Sequence, residues 1–334
     1  VPLLRGIEHP TAKAGVIGSN SGASPTGLDL VDLLADAVKK VRTDKDLKIS
    51  SIIFDDELSP SHLKNYNNLS KEIKIIDRSM LILEIFKQRA QTKEAKTQVE
   101  LAQLQYMLPR LTRAWTHLER QMGGIGTRAG AGETQIEVDR RLVRTRISKL
   151  KKELIKIDNE RANQRKRRAN KFKVALVGYT NAGKSTLMNV LSGANVYTED
   201  QLFATLDPTM RRLELSGYGP VVLSDTVGFI KGLPHALVQA FRSTLEEVSS
   251  ADLLLRVADD AQPDAREQES EVDDVLEEIG ALQIPVINVR NKCDLSGRAA
   301  GVVDASLGEK SAIRVSAQTG EGLDVLRSQL AMRL

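Results

Sequence analysis

Disulfides, membrane spans and zinc ligands all lack raw material in this 334-residue chain. A single cysteine, Cys293, excludes an internal disulfide and fits a reducing compartment. No stretch approaches the roughly 18 consecutive apolar residues of a membrane span, and the richest short run, Met80-Leu-Ile-Leu83, is broken by Glu84. No two of the four histidines (His9, His62, His117, His235) stand at metal-ligand spacing, so no structural zinc is expected. There are no internal repeats. The chain opens on Val1 without a basic-then-apolar leader, so either its start was removed or it is a fragment. What is present, 41% hydrophobic and 28% charged residues, is ordinary globular usage and excludes a disordered or collagen-like chain. The length suggests two domains and a connecting element.

The net charge is only +4, but its distribution is uneven. Residues 140–173 hold 15 Lys and Arg against three acids, a net of +12. From Val174 onward 14 basic residues face 23 acidic ones, a net of −9, which leaves +1 for the first 139 residues. A strongly basic segment feeding a mildly acidic domain is an electrostatic footprint for a polyanion, most often nucleic acid. A solvated helix face is the plainer alternative.

Three segments follow from periodicity. Residues 1–85 alternate helix and strand: apolar spacing over 28–41, an apolar strand at 49–54, a helix opened by Ser59-Pro60 and running to about Leu69, and a strand at 73–76. This alternation suggests a small parallel sheet. In residues 86–170, Leu101, Leu104, Leu108, Leu111, Trp115 and Leu118 form one heptad-like seam. Val143, Ile147, Leu150, Leu154 and Ile157 form a second. Two such seams about one loop predict an antiparallel helical hairpin, with Pro109 kinking the first helix or ending a sub-segment. The tip, 123–132, has five glycines in ten residues and Arg128 at its middle, where it could reach a phosphate. A glycine-rich tip has a large ordering entropy, which makes sense if a partner orders it; a merely flexible turn is the alternative. Glu133 reads either as a helix-start acid or as functional. Residues 171–334 alternate short apolar strands (174–177, 221–223, 253–255, 286–289) with helices after Gly183, Pro234, Pro263 and Gly322, a doubly wound α/β pattern.

The chemistry sits in this third segment. Gly178-Tyr179-Thr180-Asn181-Ala182-Gly183-Lys184-Ser185-Thr186 follows an apolar strand and opens a helix, the context of a phosphate-binding loop. Its glycines let backbone N–H groups converge on phosphates at a helix N-terminus. Lys184 would neutralise the β- and γ-phosphates and Ser185 would ligate Mg²⁺. Downstream, Asp225-Thr-Val-Gly228 offers a carboxylate to hold Mg²⁺ through water and the Gly228 N–H to meet the γ-phosphate. In Asn291-Lys292-Cys293-Asp294, the Asp294 carboxylate can accept the adjacent N1–H and N2–H₂ donors that guanine has and adenine lacks. Asn291 can bridge to a loop or to the base, the stem of Lys292 can cover the ring, and a backbone N–H at Ser316-Ala317 could meet the guanine O6. No role falls to Cys293. Between the phosphate loop and Asp225, Phe203, Thr205 and Thr209 lie where a γ-phosphate sensor belongs; Thr205 is the favoured Mg²⁺ and phosphate ligand, Thr209 the alternative. Lys184, Thr205 and Gly228 are thus the catalytic candidates. After Gly228, where Ras-like proteins carry a water-orienting glutamine, stands Phe229. Intrinsic hydrolysis should then be slow and completed by a partner. Asn181 is a candidate K⁺ ligand by analogy, or a loop cap.

These motifs resemble the HflX GTPases. The resemblance runs through Gly178-Tyr-Thr-Asn-Ala-Gly-Lys-Ser-Thr-Leu187, Leu202-Phe-Ala-Thr-Leu-Asp-Pro-Thr209, Asp225-Thr-Val-Gly-Phe-Ile230, Ala240-Phe-Arg-Ser-Thr-Leu-Glu246 and Ser316-Ala-Gln-Thr-Gly320. Residues Gln98–Leu104, Trp115–Arg120, Gly123-Gly-Ile-Gly126 and Glu133–Arg140 extend it to roughly 50–334. The tip departs from the family's usual shorter Gly-Pro-Gly turn in reading Arg128-Ala-Gly-Ala-Gly132. The resemblance implies an N-terminal α/β domain, a helical hairpin and a P-loop GTPase domain using GTP/GDP, Mg²⁺ and, by the Asn181 analogy, K⁺. It implies binding of the large ribosomal subunit and its rRNA, and splitting or rescue of stalled or idle ribosomes. The expected rRNA contacts are Gly123, Gly124, Gly126, Arg128, Arg140, Arg141 and Arg144. A cytoplasmic monomer that binds no DNA is expected, with an organelle matrix or peripheral membrane association as other settings.

Overall fold

The computed structural model describes residues 51–69, 74–111, 135–167, 171–194, 203, 205–215, 217–231, 241–304 and 311–333. The expected helix at 28–41, the glycine-rich tip with Glu133, and Trp115 and Leu118 lie outside the described residues. By contacts the chain forms two units, 1–84 with 103–148 and 85–102 with 149–334. Of the expected middle segment, residues 103–148 fall in the first unit and 86–102 with 149–170 in the second.

In the first unit, β1 (Ser51–Ile53) and β2 (Lys74–Ile76) pair in parallel. Three residues each cannot stand alone, and α1 (Pro60–Leu69) covers them. The Ser59 hydroxyl accepts the His62 N–H at 3.2 Å, the capping expected of a serine ahead of Pro60. Ile52, Leu58, Leu63, Tyr66 and Ile75 form the core, with Phe54 stacked on Tyr66 at 5.1 Å. A second bond network closes the unit. Asp77, wholly buried, accepts the Leu58 and Met80 N–H groups and the Tyr106 hydroxyl. Burial and this carboxylate raise the Tyr106 pKa. Arg110 lies 3.8 Å over the Tyr106 ring and pairs with Glu57.

Helices α2 (Arg78–Arg89) and α3 (Lys93–Met107) follow. The first hairpin helix stops at Met107: Leu108–Arg110 is a 3₁₀ turn and Leu111 is extended. Pro109 explains this, since it has no N–H for the i−4 carbonyl and its ring would clash there. The second helix, α4 (Gln135–Arg167), is 33 residues long. Its seam is real: Val143 and Leu150 are buried and Ile147, Leu154 and Ile157 half-buried. Within the second unit, Lys93 pairs with Glu153 and Glu94 with Arg161. Among the described residues no helix is long and apolar enough to cross a membrane.

The second unit carries a seven-stranded sheet of order β4-β5-β3-β6-β7-β9-β8. These strands are β3 (Lys173–Val177), β4 (Thr209–Leu215), β5 (Gly219–Asp225), β6 (Leu253–Asp259), β7 (Val286–Asn291), β8 (Gly301–Val303) and β9 (Ala312–Arg314). The five central strands are parallel; β4 and β8 are antiparallel edges. The sequence reading missed both edges. Strand β4 offers only Leu213 and Leu215 to the core and exposes Thr209, Arg212 and Glu214, while Arg211 is half-buried; polar, charged residues of this kind suit an edge. Helices α5 (Lys184–Ser192), α6 (Arg242–Ser249), α7 (Ala265–Glu278), the single turn α8 (Cys293–Ser296) and α9 (Leu323–Ala331) complete it. The core is almost wholly aliphatic (Leu176, Leu187, Leu223, Leu255, Val289, Leu326). Each such fully buried side chain contributes about 1.5–3 kcal/mol. The register brings the carboxyl ends together, Leu176 beside Asp225 and Asp259 beside Asn291. In open α/β sheets that edge is where ligands bind.

Candidate nucleotide-binding site

The loop after β3 is shaped by two glycines that no other residue could replace. Gly178 has φ +151°, and a Cβ there would lie 2.1 Å from the Val257 carbonyl oxygen of β6. Gly183 has φ +87°, and a Cβ would lie 2.2 Å from Asn291 Nδ2. Lys184 then opens α5, buried, its Nζ donating to the Gly178 and Tyr179 carbonyls at 2.9 and 2.7 Å. Burial lowers its pKa to about 8 against the opposing pull of Asp225.

Three oxygens from three elements converge beside it. Ser185 Oγ of α5 donates to Asp225 Oδ2 of β5 at 2.6 Å, and Thr205 Oγ1 donates to the same oxygen at 2.8 Å. The two hydroxyls are 2.7 Å apart. Burial raises the Asp225 pKa, opposed by Ser185, Lys184 and Thr205. Its other oxygen, Oδ1, is buried without a hydrogen-bond partner, as is Thr180 Oγ1 in the loop. An all-oxygen set with an orphaned buried carboxylate oxygen fits a hard divalent cation such as Mg²⁺. Thr209, the alternative to Thr205, is instead exposed in the β4 ladder, in register with Asp225. The structure therefore brings Thr205, not Thr209, to the cluster.

Gly228 is buried, and a Cβ on it would sit 2.8 Å from Thr180 Cα and 3.1 Å from Lys184 Nζ. Phe229 is fully buried. Its backbone joins the loop: its N–H donates to the Gly178 carbonyl at 3.1 Å, and its carbonyl accepts the Thr180 N–H at 2.7 Å. The Lys231 N–H donates to the Tyr179 hydroxyl at 3.0 Å. Asn181 is exposed at φ +62°, Ala182 is buried, and Thr186 is half-buried. Phe203, expected at the nucleotide, is 2% exposed and packs edge-on against Phe86. Its ring is taken up by that aromatic contact.

At the other end, Asn291 donates from Nδ2 to the Ala182 carbonyl at 2.9 Å and accepts the Ala317 N–H at Oδ1 at 3.0 Å. It thus ties the phosphate loop to the Ser316-Ala317 loop. Lys292, at φ +66°, pairs through Nζ with Asp259 at 2.8 Å. The buried Asp260 donates its N–H to the Asn291 carbonyl. Its carboxylate accepts the Ser296 hydroxyl at 2.6 Å and meets Arg298 and Arg314. Asp294 stands exposed on α8 between these anchors. Ser316 shapes its own loop by accepting the Thr319 N–H. Cys293 is buried, its thiol pKa raised by burial. Sequence reasoning missed Asp259 and Asp260, although a carboxylate pair ending an apolar strand was a usable signal. It gave no role to Asp207, although that residue stands in the 202–209 motif, and it missed Phe86, for which there was no signal.

Of the expected RNA contacts, Gly123, Gly124, Gly126 and Arg128 lie outside the described residues. Arg140, Arg141 and Arg144 lie on α4, the latter two exposed.

Family models match residues 31–87 (GTP-binding GTPase N-terminal), 89–168 (GTP-binding GTPase Middle Region) and 173–292 (50S ribosome-binding GTPase). The GTPase HflX of Magnetococcus marinus is 54% identical over 268 residues, covering 79% of this chain and 62% of that protein. The GTPase HflX of Escherichia coli is 50% identical over 288 residues, covering 85% and 67%. The chain thus spans about two-thirds or less of the length of these two relatives. Among solved structures, a GTP-binding protein from Sulfolobus solfataricus in complex with GDP is 26% identical with a TM-score of 0.48, covering 89% of this chain and 84% of that one.

Proposed function

The chain belongs to the HflX family of GTPases, and from that premise we propose that it hydrolyses GTP at this pocket and couples the reaction to splitting or rescuing ribosomes through the large subunit. The observation that carries the hydrolase reading is the convergence of Ser185, Thr205 and Asp225 beside the buried ammonium of Lys184. Lys184 holds positive charge against the β- and γ-phosphates. Ser185, Thr205 and Asp225 would hold Mg²⁺, which when bound neutralises charge that develops on the phosphoryl oxygens. The Gly228 N–H donates to the γ-phosphate. Asp294 selects guanine, and Asn291 keeps the base loop in register with the phosphate loop.

Phe229 supplies no polar side chain to orient the attacking water, and its ring is buried in the protein. The pocket on its own should therefore turn over slowly, and a partner completes it. The ribosomal large subunit is the partner of choice because residues 140–173 carry a net +12, most of them on the long helix α4. The family matched over residues 173–292, the 50S ribosome-binding GTPases, has the same target. Asn181 is the proposed K⁺ ligand. A protein-effector switch that never meets RNA is the competing reading, and its association would lack the steep salt dependence of phosphate contacts.

The test is GTP turnover with and without purified large subunits, for the chain as it stands and for one with 123–132 replaced by a short linker. Stimulation of the first and not the second is expected. Equal stimulation of both removes the tip from the mechanism; stimulation of neither removes the ribosome.

A further inference from the structure

We propose that the corner between α2 and α3 positions Thr205: Asp207 fastens the Thr205 segment to the N-terminus of α3, and Phe86 clamps the same segment against the start of α6. The inference rests on the hydrolase reading above and gives a role to Asp207 and Phe86, to which the sequence reading gave none.

Asp207 stands two residues after Thr205. One carboxylate oxygen accepts the backbone N–H of Gln91 at 3.0 Å and of Thr92 at 3.1 Å; the other accepts the Thr92 hydroxyl. Thr92 in turn caps α3, its Oγ1 accepting the Ala95 N–H at 3.1 Å. Gln91 and Thr92 stand immediately before α3, where the helix macrodipole favours negative charge. Asp207 supplies that charge and takes up their two amides in charge-assisted bonds.

On the other side of Thr205, Phe203 has φ +53°, a left-handed conformation unfavourable to a bulky residue. Such a conformation persists only where the surroundings over-determine it. Here its ring packs edge-on against Phe86 at 4.7 Å, and Phe86 packs edge-on against Phe241 at 4.9 Å. All three rings are almost fully buried. Phe241 leads directly into α6. A single side chain of α2 thus touches the chain before Thr205 and the chain that follows the Gly228 loop.

Thr205 is held from both sides while its hydroxyl meets Ser185 and Asp225. It cannot leave the cluster without loosening the Asp207 bonds or the ring contacts. By reciprocity, a displacement of α3 acts back on Thr205. Asp207 and Phe86 touch no substrate; they are positioning residues, and they connect α2 and α3 to the nucleotide state.

The experiment uses the full chain with Asp207→Ala, Asp207→Asn and Phe86→Leu. Steady-state GTP turnover is measured with fluorescent-analogue affinities for GDP and for a non-hydrolysable guanosine imidotriphosphate. Amide exchange at Gln91 and Thr92 is followed with each nucleotide bound. For Asp207→Ala, kcat should fall roughly 10–100-fold, the size expected for a misplaced catalytic group. Triphosphate affinity should fall with it, while GDP affinity stays within about twofold. Asp207→Asn, which keeps one acceptor oxygen, should recover part of the loss, and Phe86→Leu should shift the same quantities in the same direction. In the unaltered chain the two amides should exchange more slowly with triphosphate than with GDP, and Asp207→Ala should erase the difference. Equal losses of GDP and triphosphate affinity would mark Asp207 as a mere helix cap and overturn the proposal. So would an unchanged kcat, or exchange indifferent to nucleotide. If the unaltered chain turns over no GTP even with purified large subunits added, the hydrolase reading falls, and the exchange measurement alone decides the coupling.

Discussion

At the base end of the pocket the structure pairs its anchoring groups: Asn291 is bonded at both ends of its amide, Lys292 meets Asp259, and Asp260 gathers Ser296, Arg298 and Arg314. At the phosphate end, Asp225 Oδ1 and Thr180 Oγ1 are buried without hydrogen bonds, and Lys184 and Asp225 both have pKa values displaced by burial. Buried polar groups left unpaired cost roughly 1–3 kcal/mol each, and such displaced pKa values gather at functional sites. The contrast separates two tasks. Recognition of a planar base needs a fixed frame, whereas phosphate and cation chemistry needs groups whose bonding is completed by the ligand.

Substitutions at the two ends should fail differently. The largest effect belongs to Lys184→Ala, which removes the one buried cation of the phosphate end. By analogy with deleting a preorganised oxyanion donor, GTP kcat/KM should drop roughly 10²–10³-fold, measured by phosphate release. A loss under threefold would break the distinction. Next comes Asp294→Asn, which exchanges a two-acceptor carboxylate for a group with a donor. Preference for GTP over ATP in competition should fall by roughly 10–100-fold, the worth of one or two charged hydrogen bonds, with kcat for GTP far less affected. Smaller again, Asp260→Asn weakens the frame behind Asp294 without touching the ligand. It should raise KM several-fold and leave kcat alone; a kcat effect would place Asp260 in the chemistry instead.

The smallest effect is a proton. Lys184 has its pKa lowered to about 8 by burial, so in the nucleotide-free chain it loses charge as pH rises through that value. Bound phosphates favour the charged form, so binding of GTP should take up a fraction of a proton between about pH 8 and 9. Calorimetry in two buffers of different ionisation enthalpy checks this. For folding the sign is the opposite of a salt-bridged lysine. The folded pKa lies below the unfolded value of 10.5, so this group's penalty is fully present below about pH 8 and is relieved as pH rises towards 10.5.

Much of this site was legible because its parts are local. A glycine-rich turn between a strand and a helix, a carboxylate ending the next strand, and Asn291 and Asp294 after another are each set by a few consecutive residues. The α1 start at Ser59-Pro60 and the stop imposed by Pro109 are local in the same sense. The rest was not. Strands β4 and β8 are held by their neighbours rather than by their own patterning. The edge position of β4 lets Arg212 and Glu214 face water. That Phe203 packs on Phe86 and Asp207 caps α3 depends on residues more than a hundred positions apart.

Sequence by itself determined which residues make up the proposed nucleotide site, because phosphate loops and base-selecting carboxylates are short-range devices whose residue types and spacing are dictated by the ligand. Only the tertiary structure brought Thr205 rather than Thr209 beside Ser185 and Asp225, and only it grouped residues 85–102 with 149–334. Both depend on strand register and ring packing, which are properties of many distant residues solved together, and no window along the chain contains them.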